Sequence, residues 1–199
     1  METLIFSLQI FIVIICLIVM IIGFMYQWSL FATRAPFVEI PKEVLGDIVK
    51  ALDVKPGSVV YDLGSGDGRV LEACYRVQSD AKYVGIDKAI VPHVYAKLRL
   101  RYRKIPSGAI KLLHKNFFKQ DLSDATHVYV YLFPGLLKSL LPKLQKDLKP
   151  GTRVVSCDFE FPEEFKPVQV IDLNRPKGKR GRRLYVYEIT NHQIPIINE

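Results

Sequence analysis

The chain opens on an apolar run that no later segment repeats. Residues 4–25 contain no charged side chain and are dense in Ile, Val, Leu, Phe and Met. As a helix rising 1.5 Å per residue, such a run extends about 33 Å, enough to cross a hydrocarbon core of about 30 Å. Tyr26 and Trp28 follow where an aromatic belt is expected. No polar face interrupts the run, as a soluble helix would require. A cleaved signal peptide would have a positive start, a shorter apolar core and small residues at the cut. Met1-Glu2-Thr3 and Trp28-Ser29-Leu30-Phe31 supply none of these. The pattern predicts an uncleaved transmembrane anchor within residues 1–30.

Residues 31–57 read as a linker and a short helix. Ala35-Pro36-Phe37-Val38-Glu39-Ile40-Pro41 is followed by Val44, Leu45, Ile48, Val49 and Leu52 at helical spacing, closed by Lys55-Pro56-Gly57. Over 58–190, short apolar runs alternate with helical periods. Strands are predicted at 58–63, 82–87, 109–113, 126–133 and 152–157. Helices are predicted at 69–77, 92–105 and 136–148, the last with Pro142 as a point of interruption. The helix over 92–105 carries Val94, Leu98, Tyr102 and Ile105 on one face. Two closing runs, 168–173 and 184–189, flank a basic turn as a hairpin would, and 191–199 reads as a loose tail. Alternating strands and helices imply an α/β fold with a mostly parallel sheet of the Rossmann-like kind, helices on both faces. The final pair adds an antiparallel strand near one edge.

At 199 residues the chain accommodates one domain and a short appendage. Of its net charge of +8, six cations (Arg175, Lys177, Lys179, Arg180, Arg182, Arg183) sit in one acid-free turn, leaving +2 for the rest. Such a run is commonly a solvated loop. As a binding surface it suits RNA or anionic lipid, and beside an anchor the lipid headgroup is the better partner. Cys16, Cys74 and Cys157 show no metal or disulfide spacing, which fits a reducing compartment. Glu2 precedes the apolar run, while Arg34 and Lys42 follow it. The positive-inside rule therefore turns the C-terminal domain toward the cytoplasm, or the mitochondrial matrix in a eukaryote.

The site-forming segment is Val59-Val60-Tyr61-Asp62-Leu63-Gly64-Ser65-Gly66-Asp67-Gly68-Arg69. An apolar strand runs into an acid, then glycine at every second position, then a helix. In an open α/β sheet, ligands bind at the carboxyl ends of such strands. Dinucleotide binders need G-x-G-x-x-G, but Arg69 stands at the third glycine position and Asp67 would repel a pyrophosphate. S-adenosylmethionine carries no phosphate, and its ammonium and sulfonium suit the carboxylate of Asp62. Asp87, ending the next strand, has the spacing of a ribose-binding acid. The same features can serve local hydrogen bonds alone.

With its D-x-G-x-G-x-G run, the chain resembles class I methyltransferases. More narrowly it is similar to the small membrane-anchored lysine methyltransferases of mitochondria and their prokaryotic relatives, which modify the adenine nucleotide translocase or the ATP synthase c-subunit. The likeness rests on Ala35-Pro36-Phe37-Val38, on residues 62–69, on Tyr129-Val130-Tyr131-Leu132-Phe133-Pro134-Gly135 and on residues 148–156. It implies a seven-stranded sheet with an antiparallel C-terminal strand. By the same resemblance Asp62, Gly64, Gly66 and Gly68 hold the methionyl part of S-adenosylmethionine and Asp87 the ribose. Asn116 stands where an acid near adenine is usual; Phe117 packs either on that ring or in the core.

The fourth strand ends in Leu132-Phe133-Pro134-Gly135, not the Asn/Asp-Pro-Pro-aromatic of enzymes acting on nucleobase amines. That favours a lysine passing Tyr131 and Phe133, though both also read as core. Glu39, Asp158 and Glu160 are candidate proton acceptors; alignment alone can also carry methyl transfer. Three functions stay open: a protein-lysine methyltransferase acting on a membrane protein, a methyltransferase of RNA, lipid or a small molecule, and a binding module without catalysis.

Overall fold

A computed structural model of the chain describes residues 2–32 and 38–190. Arg34, the Ala35-Pro36-Phe37 segment, the 191–199 tail and the side chains of Tyr26 and Trp28 lie outside the described residues. The chain divides into two units, residues 1–36 and 37–199.

The first unit is one helix, α1 (Glu2–Ala32). Its stretch Ile5–Met25 has a mean hydropathy of 3.2 and is long and apolar enough to cross a membrane, a test that a signal sequence also passes. The described side chains of that stretch are all exposed.

The second unit opens with a 3-10 turn (Lys42–Val44) and α2 (Leu45–Leu52). Ile48, Ala51 and Leu52 turn inward, and Asp53 ends the helix in a left-handed conformation with its N–H on the Val49 carbonyl. There follow β1 (Val59–Leu63), α3 (Arg69–Val77), β2 (Lys82–Asp87), α4 (Ile90–Tyr102) and β3 (Ile110–His114). Then come β4 (His127–Val130), α5 (Pro134–Asp147), β5 (Arg153–Cys157), β6 (Gln169–Asp172) and β7 (Arg183–Glu188). The seven strands order as β3-β2-β1-β4-β5-β7-β6. β1 to β5 run parallel, and β7 is antiparallel to both β5 and β6.

Alternating side chains feed two core layers, as the period of a strand dictates. Val128, Val130 and Val154 meet Leu137, Leu140, Leu141 and Leu144 of α5 on one face. Tyr129, Val155 and Val186 meet Ile48 and Leu52 of α2 and Val70 and Leu71 of α3 on the other. The helix before the sheet is thus part of this packed core.

Two expectations need correction. Pro142 does not interrupt α5: the helix runs through it with the ring on the exposed side, where water can satisfy the carbonyl freed by the missing N–H. The face of α4 carrying Val94, Leu98 and Tyr102 points outward. His93, Ala96 and Leu100 turn inward instead. Ala96 and Leu100 pack over the glycine turn, 3.8 and 4.0 Å from where a Cβ on Gly68 would stand.

Candidate active site

The carboxyl ends of β1, β2 and β4 meet at one place. Asp62 lies in register with Gly85 of β2 and Tyr129 of β4. The turn after β1 folds back on β2: Gly64 and Ser65 both donate N–H to the Ile86 carbonyl, at 2.8 and 3.1 Å. Gly64, Gly66 and Gly68 have φ of 85, 53 and 73°, the left-handed region where side chains are strained. Gly85 makes this approach possible, since a Cβ there would come within 2.8 Å of Ser65 Oγ and 2.9 Å of Leu71 and Leu112.

Asp87 holds the turn from below. Its Oδ2 accepts from Gly66 N at 2.9 Å and its Oδ1 from Ala89 N at 2.8 Å. Burial raises its pKa, opposed by those two N–H groups and by the nearby His93 and His114. Asp62 is 3% exposed, and burial, then the charges of Asp87 and Asp67, push its carboxyl well above the usual range. Among the described residues neither Asp62 nor Asp87 forms an ion pair with Lys or Arg. Asp67 differs: Arg69 donates from Nε to both of its oxygens, at 2.9 Å each, and from Nη2 at 2.8 Å. Arg69 Nη1 also donates to the Ile40 carbonyl at 2.7 Å, and Nη2 lies 2.9 Å from Glu39. The clamp brings Glu39, exposed to solvent, to the glycine turn.

Beyond β4 stands an aromatic group. Tyr131 lies 6.2 Å from Phe159 with the rings nearly parallel, and Phe133, partly exposed, lies 5.4 Å from Phe159. Sequence reasoning misses Phe159; its signal is Phe159-Glu160-Phe161 directly after a strand ending on the same sheet edge. Asp158 serves this edge structurally. Its oxygens accept from the N–H of Gly181, Arg182 and Arg183 at 2.7, 2.6 and 3.3 Å, and from the Tyr131 hydroxyl at 3.3 Å. Four donors on two oxygens leave little capacity for a transferred proton, which argues against Asp158 as a base. It fastens the basic turn. Asn116 accepts from Phe118 N at 3.0 Å, leaving its amide N–H groups available, and Phe117 is half-buried against the α5-side core with its ring 4.7 Å from Phe118.

Two open grooves flank the site. One, of about 740 Å³, runs between α3 and α4 past Glu39, Asp67, Arg69, Tyr95, Leu98 and Tyr102. The other, of about 470 Å³, is lined by Glu39 and Glu43 and by Arg175 and Lys179 of the basic turn, with Arg175 Nη1 3.4 Å from Glu43. Neither is lined by Asp62, Asp87 or Tyr131.

A buried acid and a half-buried one, neither with a paired cation among the described residues, beside a turn that carries no side chain at Gly64, Gly66 and Gly68, fit a ligand that is cationic at one end and a hydrogen-bonding sugar at the other. S-adenosylmethionine is such a ligand, with a cationic ammonium and sulfonium at one end and a hydroxylated ribose at the other. Sheet order and site together define an S-adenosylmethionine-dependent methyltransferase.

Comparison with known proteins narrows the class. The profile of the ANTKMT methyltransferase domain matches residues 62–169, more than half of the chain. A protein-lysine N-methyltransferase of Saccharolobus islandicus (strain REY15A) is 32% identical over 163 residues, covering 82% of this chain and 99% of the relative. The adenine nucleotide translocase lysine N-methyltransferase of Mus musculus is 30% identical over 157 residues, covering 78% of this chain and 64% of that protein. The crystal structure of an RNA methyltransferase from Salinibacter ruber, in complex with S-adenosyl-L-homocysteine, superposes with a TM-score of 0.70 at 32% identity, covering 77% of this chain and 95% of that one. The chain belongs to the ANTKMT methyltransferase domain family.

Proposed function

We propose that this methyltransferase acts on the side-chain amine of a lysine in a membrane-associated protein. The observation that carries the reading is the likeness to a protein-lysine N-methyltransferase over nearly that relative's whole length. The mouse relative, named for a membrane carrier, and the apolar stretch Ile5–Met25 support the membrane side of it. In this reading residues 1–30 are a single-pass anchor and 31–57 a linker and a helix that precedes the sheet in the chain while packing into its core. Residues 58–190 form the methyltransferase domain, facing the cytoplasm or matrix, and 191–199 the tail. The basic turn meets anionic headgroups.

S-adenosylmethionine, when bound, supplies a methyl group on a positively charged sulfur. The residues of the chain do the rest. Asp62 accepts from the methionyl ammonium, while Gly64, Gly66 and Gly68 leave the backbone open to it. Asp87 accepts from the ribose hydroxyls with the lone pairs that Gly66 and Ala89 do not use. Asn116 donates to the adenine edge and Phe117 covers its face. Tyr131, Phe133 and Phe159 line the path of the lysine stem, excluding water and holding the ammonium near ring faces until it loses its proton. The neutral nitrogen held there would be the nucleophile toward the methyl group that the cofactor would supply, aligned by these same side chains. Of the remaining candidate acids, Glu39 is held at the rim by Arg69 and Glu160 is exposed beyond Phe159, and either can relay the proton to solvent.

RNA is a second reading, favoured by the six cations of the basic turn and by the likeness to the Salinibacter ruber RNA methyltransferase. One experiment separates the two. Membranes from cells lacking the protein are incubated with methyl-labelled S-adenosylmethionine and the purified full chain, beside Asp62→Ala. Label in a protease-sensitive band, mapped to lysine by mass spectrometry, is the expected result. Label in RNA or lipid overturns it, and label nowhere, with the cofactor still bound, leaves a binding module.

A further inference from the structure

The outward face of α4 is apolar without being covered. Val91, Val94, Tyr95, Leu98 and Tyr102 project from about one third of the helix circumference at 100° per residue. All five are exposed, Tyr102 to 85%. A contiguous stripe of this kind is unusual on a water-facing surface, unlike single exposed apolar residues.

Long cations border the stripe on both sides. Arg99 and Arg103 lie along one border and bond to Glu72. Lys97 and Arg101 lie along the other, with Lys104 just past the end of the helix, and none of the three forms an ion pair among the described residues. Residues 88–120 hold nine Lys and Arg and no acid. The positive charge is therefore not confined to the 175–183 turn, contrary to the expectation from that turn's density. This second stretch is larger, and the remainder of the chain is net acidic.

We propose that this face of α4 lies against an anionic phospholipid bilayer, with Leu98 and Tyr102 at the acyl boundary and the bordering cations at the phosphates. Two observations select that occupant. An apolar stripe flanked by lysine and arginine is the arrangement of helices that lie in the headgroup layer, their stems reaching back toward phosphate. The face also borders the place where the chain enters the domain: Glu39 and Lys42 line the same groove as Tyr95, Leu98 and Tyr102. From that entry the chain leads back covalently to Ile5–Met25. The inference rests on the membrane reading of that stretch and adds to it a second, peripheral contact that orients the domain.

The test uses the full chain in vesicles of phosphatidylcholine and phosphatidylglycerol at roughly 2:1, with and without acyl chains brominated as quenchers. Trp28 is the only tryptophan and reports on the anchor in the native protein. In a Trp28→Phe background, Leu98→Trp reports on α4 and Lys138→Trp on α5, across the sheet; both positions are exposed. Leu98→Trp is expected to lose about half of its emission to the quencher, and Lys138→Trp almost none. Adding Lys97→Glu, Arg101→Glu and Lys104→Glu brings Leu98→Trp down to the Lys138→Trp level, while Trp28 stays quenched when those charge reversals are made with it present. An unquenched Leu98→Trp beside a quenched Trp28 overturns the proposal and leaves the anchor standing. A blue-shifted but unquenched Leu98→Trp assigns the face to a protein partner or second copy, which also overturns it. If Trp28 itself escapes quenching, the anchor fails and the α4 proposal falls with it.

Discussion

The guanidinium of Arg69 spans both carboxylate oxygens of Asp67, only two residues earlier, and bonds the Ile40 carbonyl across 29 residues of sequence. The glycine turn and the entry of the chain into the domain are therefore joined through one buried side chain.

Removing it leaves Asp67, itself 2% exposed, without its main partner. Arg69→Met is expected to cost about 3 kcal/mol in chemical denaturation, as for a buried pair stripped of one member. Arg69→Lys restores only part, since an ammonium cannot make the two-point contact. Hydrogen exchange at Glu39 and Ile40 rises in both.

Asp62 gives a pH-dependent pair of effects. Its folded pKa lies above the ordinary 3.8, because of burial first and Asp87 and Asp67 second. Its contribution to stability is thus full below the unfolded pKa and is lost as pH rises through the folded one. Asp62→Asn is expected to melt a few degrees higher than wild type at neutral pH without cofactor. The same variant binds S-adenosylmethionine about 10- to 100-fold more weakly. In the wild type, affinity rises with pH as the carboxylate ionises, and calorimetry in buffers of different ionisation enthalpy records proton release that the Asn variant lacks.

Gly85→Ala tests the approach of the glycine turn to β2. The added methyl meets Ser65, Leu71 and Leu112 below 3.0 Å, so the turn must lift. Overpacking of this kind costs about 1–3 kcal/mol. Cofactor affinity falls with it, measurable by titration at a temperature where the variant is folded.

Asp158 separates a structural acid from a base. Asp158→Ala removes the acceptor for three backbone N–H groups, with a loss of about 2 kcal/mol and faster exchange at Gly181, Arg182 and Arg183. Asp158→Asn keeps an acceptor and is expected to leave the pH–rate profile of methyl transfer in place. A lost acidic limb in that variant would instead make Asp158 the base.

Phe159→Leu opens the aromatic path beside Tyr131 and Phe133. For a lysine-containing acceptor the KM is expected to rise several-fold with a smaller change in kcat, in line with about 0.5–1 kcal/mol for a ring facing a cation.

The elements near the site are legible because local and global signals agree there. β2 and α3 fall at the positions that periodicity predicts, 82–87 and 69–77, and the acid-glycine run between β1 and α3 states its own backbone geometry. What escapes the sequence is settled by partners distant along the chain. Nothing local says that Ala96, not Leu98, faces inward; its partner there is the glycine turn at Gly68, 28 residues earlier. Nothing local marks Asp158 as an acceptor for residues 181–183, or Phe159 as the neighbour of Tyr131. Charge is easily misjudged because the acid-free stretch over 88–120 is diluted by apolar residues, whereas the shorter 175–183 turn is dense.

The strand order has a consequence for biosynthesis. β7, made last, lies between β5 and β6, both made earlier. Until residues 183–188 have left the ribosome, β5 presents a bare edge and β6 has no neighbour to pair with. The apolar N-terminal helix, by contrast, emerges first. A product truncated ahead of β7 would therefore carry that helix complete but its sheet unfinished, both inactive and prone to edge-to-edge association.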